Sequence, residues 1–191
     1  FLFAQVFHPS MRHVASTRRE LGVRTAFNLL GPLTNPAGAA RQLVGVPRPE
    51  LTELVARSLA QLGAERAWVV HGADGLDEIS TTGYTKVSEC RDATVNTFYL
   101  HPADVGLSKA SRDDLRGGEA ADNAAIARAV LGGKPGAARE IVLLNAGASL
   151  LIAEKVTSIP DGIALAAQAI DSGRAAAVLD TLVSVSHGGG A

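Results

Sequence analysis

The sequence predicts an α/β fold with a mostly parallel sheet flanked by helices. Gln42–Val46 and Ala67–Val70 are short apolar runs with the length and β-branched content of buried strands. Between them Leu51, Leu54, Val55, Leu59 and Leu62 recur at helical spacing. A strand, a helix and a strand in so few residues form a crossover unit, and a crossover sets its two strands parallel. From Asp122 onward the pattern is helical to the end of the chain, which supplies the covering layers.

Pro9–Leu21 reads as a helix with proline in its first turn and Gly22 as its stop. The following stretch, to Pro36, reads as a long turn built around Gly31-Pro32 and Asn35-Pro36, with Asn28 and Asn35 fixing turns through side-chain bonds to backbone. After the strand at 42–46, Pro49 precedes and Gly63 follows the amphipathic helix. Thr94–Leu100 alternates like a later strand, as at a sheet edge where one face is open. Helices are expected at Asn123–Leu131, Arg139–Lys155, Asp161–Ser172 and Arg174 to about Ser186. Asp122 and Asp161 suit the start of two of them, and Gly132 and Gly173 the end of two. Gly188-Gly-Gly190 reads as a tail, and nothing repeats internally.

The 191 residues suffice for one domain with a sizeable core. With 18 Lys and Arg against 19 Asp and Glu, and no basic cluster, the chain has no electrostatic footprint for nucleic acid. Cys90 is the single cysteine, so no intrachain disulfide forms and a cytoplasmic setting is expected. No apolar run approaches bilayer-spanning length, so no membrane partner is expected. Phe1–Phe7 is apolar and lacks the basic flank of a signal peptide, which reads as a break inside a larger protein.

Asp77-Glu78 follows the strand ending at Val70, after a turn containing Gly72 and Gly75. Ligands collect at the carboxyl ends of strands in open parallel sheets. Two adjacent carboxylates there are either a solvated turn or a Mg²⁺ site completed by substrate phosphates. Arg18 shares a helical stripe with Met11, Val14 and Leu21. It either snorkels outward or waits, partly buried, for a bidentate anion. His8, just before Pro9, is a cap, a packed ring or part of a pocket. Asn145, a polar residue in an apolar helix, is expected to satisfy buried backbone or a neighbouring loop. Gly117-Gly118 with Asp122-Asn123 is read as structural, and His13, His101 and His187 show no ligand spacing.

Three motifs occur in order: His8-Pro-Ser-Met-Arg-His13, Arg18–Pro36 and His71-Gly-Ala-Asp-Gly-Leu-Asp-Glu78. On them the chain, from Phe1 to about His187, resembles the C-terminal α/β portion of the anthranilate phosphoribosyltransferases, in the nucleoside phosphorylase/phosphoribosyltransferase family. The resemblance implies the larger domain of a two-domain enzyme. Residues 1–187 form its catalytic portion, about 8–35 lining the acceptor site near the interdomain junction, and 188–191 form a Gly-rich tail. It implies transfer of phosphoribose from phosphoribosyl pyrophosphate (PRPP) to anthranilate in tryptophan biosynthesis, Mg²⁺ as cofactor, and a homodimer when full length. It assigns Asp77 and Glu78 to the metal and Arg18 to the anthranilate carboxylate. His8, Gly31 and Pro32 are assigned to the acceptor pocket, and no residue to acid or base catalysis. The family's Gly-Thr-Gly-Gly-Asp and Lys-His-Gly-Asn-Arg phosphate segments do not occur here. With its N-terminal helical segment they are expected upstream of Phe1, and the chain by itself is expected to be inactive. A pyrimidine nucleoside phosphorylase is the nearer alternative, disfavoured because Arg18–Pro36 matches the anthranilate branch. A non-catalytic nucleic-acid-binding relative is the other, disfavoured by the charge balance.

Overall fold

The computed structural model describes Phe7, His13, Thr17, residues 20–23 and residues 27–188. The chain divides into two compact units, residues 1–39 and 40–191. His8, Arg18 and most of the helix expected at 9–21 lie outside the described residues.

In the first unit a short helix, α1, spans Phe27–Leu33 with Pro32 inside it. The long turn expected around Gly31-Pro32 is therefore helical instead. Proline's fixed φ matches a helix, and near the end of so short a helix its missing N–H forfeits a single bond. Thr34 ends the element by donating its N–H to Gly31 O at 3.2 Å and its hydroxyl to Leu30 O at 2.9 Å. The Asn35 turn forms as expected. Its Oδ1 accepts from Ala37 N at 3.0 Å, and its carbonyl accepts from Gly38 N at 3.0 Å. The expectation for the Asn28 side chain lies outside what is described.

The second unit opens with β1 (Arg41–Gly45), α2 (Leu51–Gln61) and β2 (Arg66–Gly72). β1 and β2 pair in parallel, from Arg41 opposite Arg66 to Gly45 opposite Val70. The sheet then departs from the mostly parallel expectation. A further strand, β3 (Thr85–Arg91), pairs antiparallel with β2, and β4 (Thr94–Leu100) pairs antiparallel with β3 at the sheet edge. The sheet is mixed, in the order β1-β2-β3-β4. β3 and β4 form a hairpin whose two turn residues, Asp92 and Ala93, have φ of 49° and 62°. Such a turn is ordinarily signalled by Asn-Gly or Asp-Gly. Asp-Ala carries no such signal, so β3 escaped the sequence reading.

Among the described residues four α-helices follow: α3 (Ala120–Leu131), α4 (Ala137–Ile152), α5 (Ile159–Asp171) and α6 (Arg174–Ser186). The expected starts of α3 and α5 are corrected by their caps. Asp122 lies inside α3, where its carboxylate accepts from Glu119 N at 3.1 Å. Ser158, not Asp161, caps α5, its Oγ accepting from Asp161 N at 3.2 Å and donating to the Asp161 carboxylate at 2.6 Å. Gly132 and Gly173 close α3 and α5 as expected.

α2 packs on one face of the sheet, where the Ser88 hydroxyl donates to Thr52 Oγ1 at 2.9 Å. α4 packs on the other, over Trp68, Val70, Val87 and Leu100, together with Leu144, Ala148 and Ile152. Arg66 and Arg41 fasten the end of α4 to the sheet by donating to Leu151 O and Ala153 O, each at 3.0 Å. Where α4 crosses α5 the backbones touch: a Cβ on Gly162 would lie 2.5 Å from Gly147 O. Cys90 is buried and unbridged. Desolvation, with the charge of Glu89 beside it, pushes its thiol above the ordinary cysteine range.

Candidate functional site

The loop of residues 73–84 joins β2 to β3 and carries Asp77 and Glu78, both exposed. It leaves the sheet at the carboxyl end of β2. Its middle lies over the carboxyl end of β1, where a Cβ on Gly45 would fall 1.6 Å from Asp77 O. Glycine at 45 is therefore what lets the Asp77 backbone seat on the strand. Both acidic residues thus stand above the two parallel strands, the location expected for them.

The loop is held by its own hydrogen bonds. Gly72 N donates to Leu76 O at 2.8 Å, and Ala73 N to Tyr84 O at 2.8 Å. Asp74 is the hub. One carboxylate oxygen accepts from the Ser80 and Thr82 hydroxyls, each at 2.6 Å, and the other from Leu76 N at 3.1 Å. Burial alone would raise its proton affinity, but these donors outweigh it and hold the carboxyl below the usual aspartate range. At the strand end His71 is buried and donates its Nδ1 proton to Val46 O at 2.9 Å, since a carbonyl can only accept. Beyond Glu78 the chain dives inward: Ile79 has 0% exposure and belongs to the core under α4. From α4, Asn145 bonds both backbone groups of Ile79, as expected for a polar residue satisfying a neighbouring loop.

Glu78 remains open to solvent as a residue, yet its carboxyl is shifted upward. Partial loss of water at the carboxyl is the larger cause, and the like charge of Asp77 adds to it. A carboxylate pair with that penalty is relieved by a cation. Among the described residues no cluster of three or more His, Cys, Asp or Glu forms a closed cage. Two carboxylates on an open loop leave most of a coordination shell to water and phosphate oxygens, which is the Mg²⁺ preference, and they lack the soft ligands of a zinc site. The donor set fits Mg²⁺. Beside Glu78 and Leu76 opens a cleft of about 960 Å³, walled by apolar side chains including Leu115, Ile126, Val130 and Val142.

Asp77 and Glu78 are thus brought together, Gly31 and Pro32 lie in α1 of the first unit, and Arg18 and His8 lie outside the described residues. The supports of the loop went unread in the sequence. Ser80 and Thr82 carry a weak signal, two hydroxyls six and eight residues after Asp74, and Gly45 carries none that distinguishes it from a turn glycine. Gly117-Gly118 is structural as expected: Asn123 accepts from Gly118 N and donates to Gly118 O, both at 2.9 Å.

The model of the glycosyl transferase family a/b domain matches residues 1–176. The chain belongs to this family. A relative named anthranilate phosphoribosyltransferase, from Mesorhizobium japonicum, is 58% identical over 188 residues, covering 98% of this chain and 56% of the relative. The crystal structure of the Thermus thermophilus anthranilate phosphoribosyltransferase superposes with a TM-score of 0.89 at 47% identity, over 96% of this chain and 54% of that one. The Saccharomyces cerevisiae enzyme, solved in complex with PRPP and Mg, matches with a TM-score of 0.82 at 31% identity, over 91% of this chain and 50% of that one. The chain spans about half the length of the curated relatives it matches. Among the described residues no helix is long and apolar enough to cross a membrane.

Proposed function

We propose that a protein of the relatives' full length containing this chain transfers phosphoribose from PRPP to the amine of anthranilate, releasing pyrophosphate. The observation that carries this reading is the seating of Asp77-Glu78 over the carboxyl ends of β1 and β2, in a chain 58% identical to a named anthranilate phosphoribosyltransferase. The amine nitrogen bonds to the ribose C1 as the bond from C1 to the pyrophosphate oxygen breaks, and the nitrogen then loses a proton. C1 develops oxocarbenium character, so positioning and charge stabilisation matter more than a strong base.

Asp77 and Glu78 are the residues that would hold Mg²⁺, which when bound would supply neutralisation of charge on the leaving group. Asp74 keeps the loop shaped around that pair. Arg18 forks onto the anthranilate carboxylate and aims the ring's amine, while His8, Gly31 and Pro32 line the ring's pocket. The buried, protonated thiol of Cys90 and the near-neutral charge fit a cytoplasmic protein that does not use nucleic acid.

The test is loss of anthranilate fluorescence on adding PRPP to the purified full-length protein, with and without Mg²⁺, beside an assay with thymidine and phosphate. Mg²⁺-dependent consumption of anthranilate, abolished by EDTA, is expected. Phosphorolysis of the nucleoside without anthranilate turnover would overturn the reading.

A further inference from the structure

We infer that Asn145 is a positioning residue that sets where the Asp77-Glu78 carboxylates stand, an inference that rests on their reading as the metal site. Asn145 lies on α4, 66 residues from the loop it binds. Its Oδ1 accepts from Ile79 N at 2.9 Å, and its Nδ2 donates to Ile79 O at 2.9 Å and to Ile141 O at 2.9 Å. The amide grips both polar groups of one peptide residue, as a neighbouring strand would. The partners also fix its orientation, because an N–H must face oxygen and a carbonyl must face nitrogen.

The consequence follows from where Ile79 stands. Its side chain is fully buried between the sheet and α4, and its backbone is clamped by Asn145. Two residues earlier, the Asp77 backbone is seated against Gly45. The exposed acidic pair is therefore strung between two fixed points, one on β1 and one on α4. Asp74 braces the loop through Ser80, Thr82 and Leu76, all within the loop itself. Asn145 is the side chain that refers this end of the loop to a core helix. An apolar residue at 145 would suit the surrounding helix better, with Leu143, Leu144 and Ala148 buried nearby, so its amide is explained by the bond it makes. It is neutral and holds backbone, so it orients the carboxylates without competing for a cation. Groups that orient metal ligands from outside the coordination shell typically cost roughly 10–100-fold in metal affinity when removed.

The experiment uses the full-length protein and Mn²⁺ alone, titrated by the electron paramagnetic resonance signal of the free ion. Hydrogen exchange is read in parallel at the Ile79 amide. Asn145→Leu is the principal variant, and Asn145→Ala replaces it if the leucine variant does not fold. Leu143→Ala, which opens a cavity in the same helix away from the loop, reports what lost stability alone does. The proposal expects roughly tenfold or greater weakening of Mn²⁺ in the Asn145 variant with faster exchange at Ile79, and neither change in Leu143→Ala. Wild-type Mn²⁺ affinity, or unchanged Ile79 exchange, in the Asn145 variant would overturn it, as would equal weakening in Leu143→Ala. Asp77→Asn with Glu78→Gln separates the two levels. If that protein loses Mn²⁺ while the Asn145 variant keeps it, the positioning role alone falls. If it keeps Mn²⁺, the metal reading falls and takes the positioning role with it.

Discussion

Asp74 and Glu78 stand four residues apart on one loop, and their environments push their proton affinities in opposite directions. For Asp74 the folded value lies below the ordinary one of about 3.9. Its contribution to stability is therefore present above that pH and lost as pH falls through the folded value. Asp74→Ala should cost about 1–3 kcal/mol in denaturant unfolding at pH 7. Part of the gap should close in acid, and a gap independent of pH would show that the carboxylate is not what Ser80 and Thr82 hold. For Glu78 the folded value is raised, so its favourable contribution exists below an unfolded value of about 4.3 and is lost as pH rises through the folded one. Glu78→Gln should accordingly melt higher than wild type at pH 7 in metal-free buffer, with the difference vanishing near pH 4. A lower melting temperature at pH 7 would mean that Glu78 has a structural partner. The acidic pair was legible in the sequence because a Gly-rich turn after a strand is a known ligand position. Asp74 was not, because the two hydroxyls six and eight residues later are too weak a signal to distinguish a hydrogen-bonded hub from a solvated turn residue.

The elements were read most securely where period and breaker residues agreed. α2 and α6 fall where the spacing of Leu51, Val55 and Leu59 and the stop at Gly173 put them. α1 was missed because Gly31-Pro32 reads as a turn, although proline's φ is helical. β3 was missed because its hairpin turns on Asp92-Ala93. The crossing of α4 and α5 offers a sharper check on the packing. A Cβ at Gly147 would lie 2.8 Å from Ile163 N, and one at Gly162 would lie 2.5 Å from Gly147 O, both contacts against backbone that cannot rotate away. Gly162→Ala should destabilise by about 1–3 kcal/mol or more by forcing the helices apart. Because α4 carries Asn145, the same variant should also disturb the loop that bears Asp77 and Glu78. A variant as stable as wild type in thermal unfolding would contradict the close crossing.

At the scale of the whole molecule, the proposed enzyme separates its two substrates. In that proposal Asp77 and Glu78 would serve the pyrophosphate of PRPP, and Arg18 the carboxylate of anthranilate. That division comes from the family resemblance carried by three motifs, while the structure contributes the frame of the loop that bears Asp77 and Glu78. One kinetic comparison tests it most directly: the Michaelis constants for both substrates, in the full-length protein, for wild type, Asp77→Asn and Arg18→Ala. Losing a charge-assisted bidentate pair costs on the order of 2–3 kcal/mol, so Arg18→Ala should raise the anthranilate constant roughly a hundredfold and leave the PRPP constant near wild type. Asp77→Asn should do the reverse, raising the PRPP constant roughly tenfold or more. Variants that shift both constants together, or an anthranilate constant untouched by Arg18→Ala, would contradict the division of labour.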